Sequence, residues 1–215
     1  MTPDVPDPKA GKARLRAEIS AAVRAVPAVA RIEESRRVCE CILASPWYPP
    51  AQALMIYIPL RLEVDVGPLA TAALDAGKAV YVPEFDPQSR AMWPVRIDVW
   101  PSEKRLHGKM GGPDAEHGGE PAKAQLPMKT LIVVPGIAFD SSCNRLGRGM
   151  GFYDYFLKGV DRSCVFVGAS FQCQCVSPST LPVEEHDVTM HAVATPARLY
   201  TAARPYGTAA SLRGG

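Results

Sequence analysis

No run of about 20 apolar residues occurs in the sequence, so nothing in it has the length and apolarity of a membrane-spanning helix. An excess of one charge sign is also missing. The 24 lysines and arginines nearly balance 22 aspartates and glutamates, and a net charge of +2 gives no global attraction to nucleic acid or an anionic membrane. Any anion site must therefore be local. Histidine is scarce: His107, His117, His186 and His191 are scattered and form no H-x-x-x-H pair, which argues against a histidine-based metal centre. The cysteines (Cys39/Cys41, Cys143, Cys164, Cys173/Cys175) lack the C-x-x-C spacing of zinc sites. A chain long enough to build its own core has little need of disulfides, so these are read as unpaired thiols. The opening MTPDVPDPKA, rich in proline and aspartate, contains no apolar stretch of the kind a secretory signal needs. It reads as a disordered tail, residues 1–10, and the expected location is the cytoplasm.

With 47% hydrophobic residues over 215 positions, the sequence fits one globular domain, taken as 11–205, followed by a flexible tail, 206–215. From Gly11 to Val26, Leu15, Ile19, Ala22, Val23 and Val26 recur at helical spacing. Lys12 and Arg16 stand four apart on another face; spacing alone makes that a solvated basic face. A second helix follows Pro27 and stops at Pro46. The apolar run Ala53–Leu60 predicts a strand buried on both sides. A helix starting near Asp65 or Pro68 and ending at Gly77 comes next, then strands at Lys78–Phe85 and Met92–Ile97. Asp98–Lys129 is long, irregular, and rich in Gly, Pro and charge. Order resumes with a buried strand, Leu131–Phe139, a short helix, Phe152–Gly159, and strands at Cys164–Ser170 and Ala192–Leu199. Trp93 and Trp100 read as packing residues. Alternating strands and helices imply an α/β fold: a mostly parallel, Rossmann-like open sheet with helices on both faces, three layers in all.

Ligands of such sheets sit beyond the carboxyl ends of the strands, and there the sequence has DSSCNRLGRGMGFYDYF, Asp140 to Phe156. Alternating Gly147, Gly149 and Gly151 let backbone N–H groups converge on an anion. A helix starting at Phe152 adds unpaired N–H groups and the positive end of its dipole. Arg145 and Arg148 offer planar donors suited to phosphate. Asp154, in the first helical turn, can cap that turn or hold Mg2+. The pattern is neither a Walker loop nor G-x-G-x-x-G, and taken by itself it is equally compatible with a flexible turn whose arginines face water.

The longer stretch VPGIAFDSSCNRLGRGMGFYDYFL resembles the signature of the 5-formyltetrahydrofolate cyclo-ligases, also called 5,10-methenyltetrahydrofolate synthetases. KARLR (12–16), LEVDV (62–66) and LPVEEHDVTM (181–190) resemble further family segments. The resemblance implies that Lys12 and Arg16 bind ATP phosphates together with Arg145, Leu146, Gly147, Arg148, Gly149, Met150, Gly151, Phe152 and Tyr153. It makes Arg145 and Arg148 the catalytic cations. It assigns Ile58 and Glu63 to the folate side, shared with Arg148, Phe152 and Tyr153, and makes Asp154 and Asp187 the Mg2+ carboxylates. The implied reaction passes the γ-phosphoryl group of ATP to the formyl oxygen on N5; N10 then attacks the formyl carbon and phosphate leaves as the methenyl ring closes. The implied partners are 5-formyltetrahydrofolate and ATP, with no nucleic acid, no membrane and a monomeric state.

Several positions depart from that signature. Cys143 stands at a usual glycine; if the turn requires positive φ, Asn144 is the residue expected to absorb it. Met150 brings no charge to the loop, Phe152 lacks the hydroxyl of a usual tyrosine, and Gly111–Ala115 is a degraded form of another family segment. Two other readings therefore stand beside the enzyme: a diverged member that binds nucleotide or folate without catalysis, and a sugar-phosphate-handling relative on the same kind of sheet.

Overall fold

The computed structural model describes residues 8–86, 88–89, 91–100, 125–184 and 186–206. Chain order is α1 (Pro8–Ala25), α2 (Ala28–Leu43), β1 (Ala53–Met55), α3 (Gly67–Asp75), β2 (Ala79–Asp86) and β3 (Ala91–Ile97). There follow β4 (Thr130–Val134), β5 (Ala138–Asp140), β6 (Arg145–Leu146), α4 (Phe152–Gly159), β7 (Val165–Ala169), β8 (Cys175–Val176), β9 (Ala192–Ala194) and β10 (Leu199–Thr201). The main sheet is seven-stranded in the order β10-β9-β7-β4-β1-β2-β3. Its five inner strands are parallel, and antiparallel β3 and β10 close the two edges.

Side-chain alternation along the parallel strands builds two cores. Leu54, Val80, Leu131, Val133 and Val167 face one side, where Leu15, Ile19 and Val23 of α1, Val38 and Ile42 of α2, and Leu69 of α3 cover them. Met55, Tyr81, Ile132, Val134 and Phe166 face the other, against Phe152 and Leu157 of α4. Both faces are apolar because both are covered, which explains the continuous hydrophobic runs in the sequence. The expected three-layer α/β architecture is the observed one.

Five local expectations change. α1 begins at Pro8, so Pro8–Ala10 are helical rather than part of the tail; proline suits a first helical turn, where no N–H is needed. The run Ala53–Leu60 pairs as a strand only over Ala53–Met55. Ile56 N still donates to Tyr81 O at 2.9 Å, but beyond it Tyr57 and Ile58 are buried without being laddered and line a cavity, and Leu60 is exposed. Leu131–Phe139 is two strands, not one. Pro135 supplies no ladder donor, and β5 moves to a separate three-stranded sheet, β6-β5-β8. The break returns the fully buried Phe139 ring against two glycines: a Cβ on Gly136 would sit 2.5 Å from the ring and one on Gly168 2.4 Å from it. Ala192–Leu199 is likewise not one strand: β9 ends at Ala194, and the chain turns back so that β10, from Leu199, pairs antiparallel with it. The fifth change, at Cys143, belongs to the site. Residues 1–7, 101–124 and 207–215, with them His107, His117, Gly111–Ala115 and most of both predicted tails, lie outside the described residues.

Candidate active site

From β1 the chain proceeds to β2 on one side; β4, β7 and β9 lie successively on the other. The sheet therefore has its switch point between β1 and β4, where strand-end loops diverge and leave a crevice. A cavity of about 920 Å3 opens there. Tyr57, Ile58 and Glu63 reach it from the segment after β1, Pro83 and Phe85 from the end of β2, and Pro135 and Gly136 from the end of β4. The glycine loop and Lys12 and Arg16 of α1 complete the wall.

The loop is held at its base by Asp140, which is fully buried. Its Oδ1 accepts from the backbone N–H groups of Ser142 and Asn144, both at 2.9 Å, and its Oδ2 accepts from Asn144 Nδ2 at 3.0 Å. These bonds restrain Asn144, and the left-handed residue is Cys143 itself, at φ 67°. The expected transfer of strain to Asn144 does not occur. Cys143 is buried, and burial, reinforced by the charge of Asp140, pushes its thiol up to about 12. Further along, Gly149 (φ 97°) and Gly151 (φ 75°) take conformations that a side chain would oppose. Gly151 is the residue before α4, so the loop delivers the chain directly to a helix N-terminus.

The two arginines differ sharply in surroundings. Arg145 is a buried strut, its side chain 4% exposed. Its Nη2 donates to Asp154 Oδ2 at 2.8 Å, its Nη1 donates to the Pro135 carbonyl at 3.2 Å, and its guanidinium lies 5.6 Å over the Tyr153 ring. Gly147 makes room for it, since a Cβ there would stand 2.9 Å from Nη1. Arg148 is 52% exposed and rests on Glu63, 85 residues away, through Nη2 at 2.8 Å and Nε at 3.2 Å. Glu63 Oε2 meanwhile accepts from Leu60 N at 3.0 Å.

On the opposite wall, Lys12 Nζ donates to Glu184 Oε2 at 2.5 Å and to Asp187 Oδ2 at 2.9 Å. Burial alone would lower the Lys12 ammonium, but these two carboxylates outweigh it and raise its pKa; the same hydrogen bond from Lys12 pulls Glu184 below its usual range. Ligand atoms of Glu184, His186 and Asp187 all lie within 4.8 Å of one another. Asp154 is not one of that group: Arg145 holds its Oδ2, and Val188 N, one residue from Asp187, donates to its Oδ1 at 3.3 Å. Burial, reinforced by the negative Glu63, keeps the phenols of Tyr57 and Tyr153 well above their usual value and therefore neutral.

Every residue singled out from the sequence reaches this cavity: Lys12, Arg16, Ile58, Glu63, the whole of Arg145–Asp154, and Asp187. Lys12 and Arg16, bland as a helix face, are brought there because α1 docks beside the loop; Arg16 Nε donates to Gly147 O at 2.8 Å. Phe152 uses its ring rather than a hydroxyl, meeting Phe85 edge-on at 5.3 Å. Met150 stays exposed at the rim. Trp100 packs against the α1–α3 core rather than lining the cavity. Pro83, Phe85 and Glu184 are among the additions, with Tyr57, Pro135, Gly136 and His186. The first two were findable as the carboxyl end of the strand next to the switch point, and Glu184 as a neighbour of Asp187.

An α/β sheet with a glycine-rich, cation-bearing loop and an aromatic-walled crevice at its switch point belongs to the class of proteins that bind phosphorylated or cyclic ligands at strand ends. The 5-formyltetrahydrofolate cyclo-ligase family model matches residues 8–196, and the chain belongs to that family of ATP-dependent ligases. It is 29% identical over 198 residues to the 5-formyltetrahydrofolate cyclo-ligase of Mus musculus, covering 85% of this chain and 92% of the mouse protein. It is 30% identical over 159 residues to that of Escherichia coli K12, covering 71% and 84%. The solved 5,10-methenyltetrahydrofolate synthetase of Aquifex aeolicus superposes with a TM-score of 0.70 at 24% identity, over 90% of this chain and 93% of that one, a likeness of fold. Among the described residues no helix is long and apolar enough to cross a membrane.

Proposed function

We propose that this cavity converts 5-formyltetrahydrofolate to 5,10-methenyltetrahydrofolate at the expense of ATP. One observation carries the reading: residues from four distant segments, around Lys12, Glu63, Arg148 and Asp187, converge on one cavity large enough for two substrates. The Arg16 side of the glycine loop suits a triphosphate. The Tyr57, Ile58, Phe85 and Phe152 walls suit a flat pterin, with Glu63 accepting its N–H groups.

The chemistry asks mainly for positioning and charge neutralisation. An amide-like formyl oxygen is a poor leaving group until phosphorylated, and phosphorylation makes the formyl carbon open to N10. Arg148 and Lys12 neutralise charge on the transferring group, and the backbone N–H groups of Gly149, Gly151 and the start of α4 orient its oxygens. Arg145 fixes Asp154 and Tyr153 rather than reaching outward. The aromatic walls exclude water that would hydrolyse an activated intermediate. None of this uses a cysteine nucleophile.

The hard oxygen donors of Asp187 and neighbouring Glu184 fit Mg2+, which takes one or two carboxylates beside substrate phosphates, whereas Asp154 would have to exchange its bond to Arg145 to join them. Bound there, it would neutralise phosphate charge. We further read the protein as a cytoplasmic monomer, which sedimentation and fractionation check.

The deciding experiment mixes purified protein, Mg-ATP and 5-formyltetrahydrofolate and follows the methenyl chromophore. ATP-dependent appearance is expected. Nucleotide binding by calorimetry with no chromophore would overturn the catalytic reading.

A further inference from the structure

We infer that Glu63 and Arg148 form an exchangeable ion pair through which the folate half of the cavity controls the phosphate half. The inference rests on the two-substrate reading above and concerns how the substrates are coupled.

Glu63 has little spare capacity. Its Oε1 takes both Arg148 bonds and its Oε2 takes Leu60 N, so three of a carboxylate's roughly four acceptor positions are filled. A pterin carries adjacent N–H donors, and a carboxylate that accepts them side by side must release Arg148. The two partners differ in mobility. The Glu63 side chain is 10% exposed and anchored by its own turn, whereas Arg148 is 52% exposed between two glycines, one at φ 97°. Arg148 is therefore the partner that moves.

A released Arg148 finds no second carboxylate waiting. Among the described residues, the other acids lining the cavity are already engaged: Asp154 by Arg145, and Glu184 and Asp187 by Lys12. Its charge is then uncompensated at the rim of the phosphate loop, where a phosphoryl oxygen is the natural partner. The reverse also holds. A phosphate that draws Arg148 away strips a largely buried carboxylate of its counter-charge, unless a folate donor replaces it. Each substrate thus favours the other, by the reciprocity that linkage demands.

The pair predicts an effect opposite to simple loss of a contact. Calorimetric titration with a non-hydrolysable ATP analogue and Mg2+, without folate, should show Glu63→Gln binding nucleotide about fivefold tighter than the unmodified protein, because Arg148 is already free. Removing an acid near an anion could tighten binding by itself, so the measurement is repeated in an Arg148→Gln background. There the gain should vanish, as a double-mutant cycle requires for a coupled pair. In the unmodified protein, saturating 5-formyltetrahydrofolate should tighten analogue binding by a similar factor.

Equal or weaker nucleotide binding by Glu63→Gln, or the same gain with and without Arg148, overturns the exchange. If Glu63→Gln does not fold, Arg148→Gln decides alone: its folate affinity without nucleotide should equal or exceed that of the unmodified protein, and a loss overturns the inference. Failure of the unmodified protein to bind nucleotide at all is a different result and counts against the proposed activity itself.

Discussion

Arg16 Nε donates to the Gly147 carbonyl at 2.8 Å, a bond spanning 131 residues of sequence, and the Arg16 guanidinium lies 3.3 Å from where Gly149 would carry a Cβ. The first helix is thus tied to the loop it faces. A charge-assisted bond of this kind contributes about 1.5–3 kcal/mol. Arg16→Ala is expected to weaken binding of an ATP analogue by about tenfold or more and to lower the melting temperature by several degrees, because the lost bond joins the first helix to the loop. Calorimetry and a thermal melt check both halves; unchanged affinity would count against the brace.

Arg145 behaves differently because it is buried. Removing it leaves Asp154 without its counter-charge and the Pro135 carbonyl without its donor. Arg145→Ala should lower stability by about 3 kcal/mol, read from the urea midpoint. Arg145→Lys should recover only part of that, since an ammonium lacks the planar fork that reaches both partners. An alanine variant as stable as the parent would contradict the strut.

The Phe139 ring needs two missing side chains. A Cβ on Gly168 would sit 2.4 Å from Cε1, so Gly168→Ala should cost about 1–3 kcal/mol by overpacking. Adding Phe139→Leu should return part of the loss, because the smaller side chain makes room for the new methyl. Simple additivity of the two changes, measured by denaturation, would show that the close approach is not the cause.

Acid should loosen the first helix late rather than early. Glu184 is held below its usual 4.5, first by the hydrogen bond from Lys12 and then by that residue's charge. A depressed carboxyl contributes stability above its unfolded value and loses it as pH falls through the lower folded value. Lys12, raised overall, keeps its share below 10.5 and loses it only as pH climbs past its elevated folded value. Hydrogen-exchange protection in α1, taken relative to the intrinsic rate at each pH, should therefore hold steady from about pH 7 to 5 and fall below about 4.5, with a smaller fall in Glu184→Gln. A loss of protection centred near neutrality would point to another group.

Local chemistry was readable in the sequence and long-range chemistry was not. The predicted helix Phe152–Gly159 is found at those bounds because its start follows Gly151 and its apolar face is periodic. The alternation of runs identified the layers. The fate of Ala53–Leu60 and Leu131–Phe139 could not be read, since an apolar run reports burial and says nothing of which strand, if any, it pairs with. Cys143 in a left-handed conformation was equally hidden: its neighbour is the better residue for that role by type, and only the three bonds made to Asp140 reverse the preference.

By itself, then, the sequence determined the three-layer sheet, the family and the cavity residues that lie in its motifs, because periodicity and a contiguous motif are properties of neighbours along the chain. Only the tertiary structure decided what each charge does: Arg145 buried on Asp154, Arg148 parked on Glu63, Lys12 between Glu184 and Asp187. The physical reason is that ion pairs form between groups close in space and desolvated together, and spacing along the chain carries no record of either.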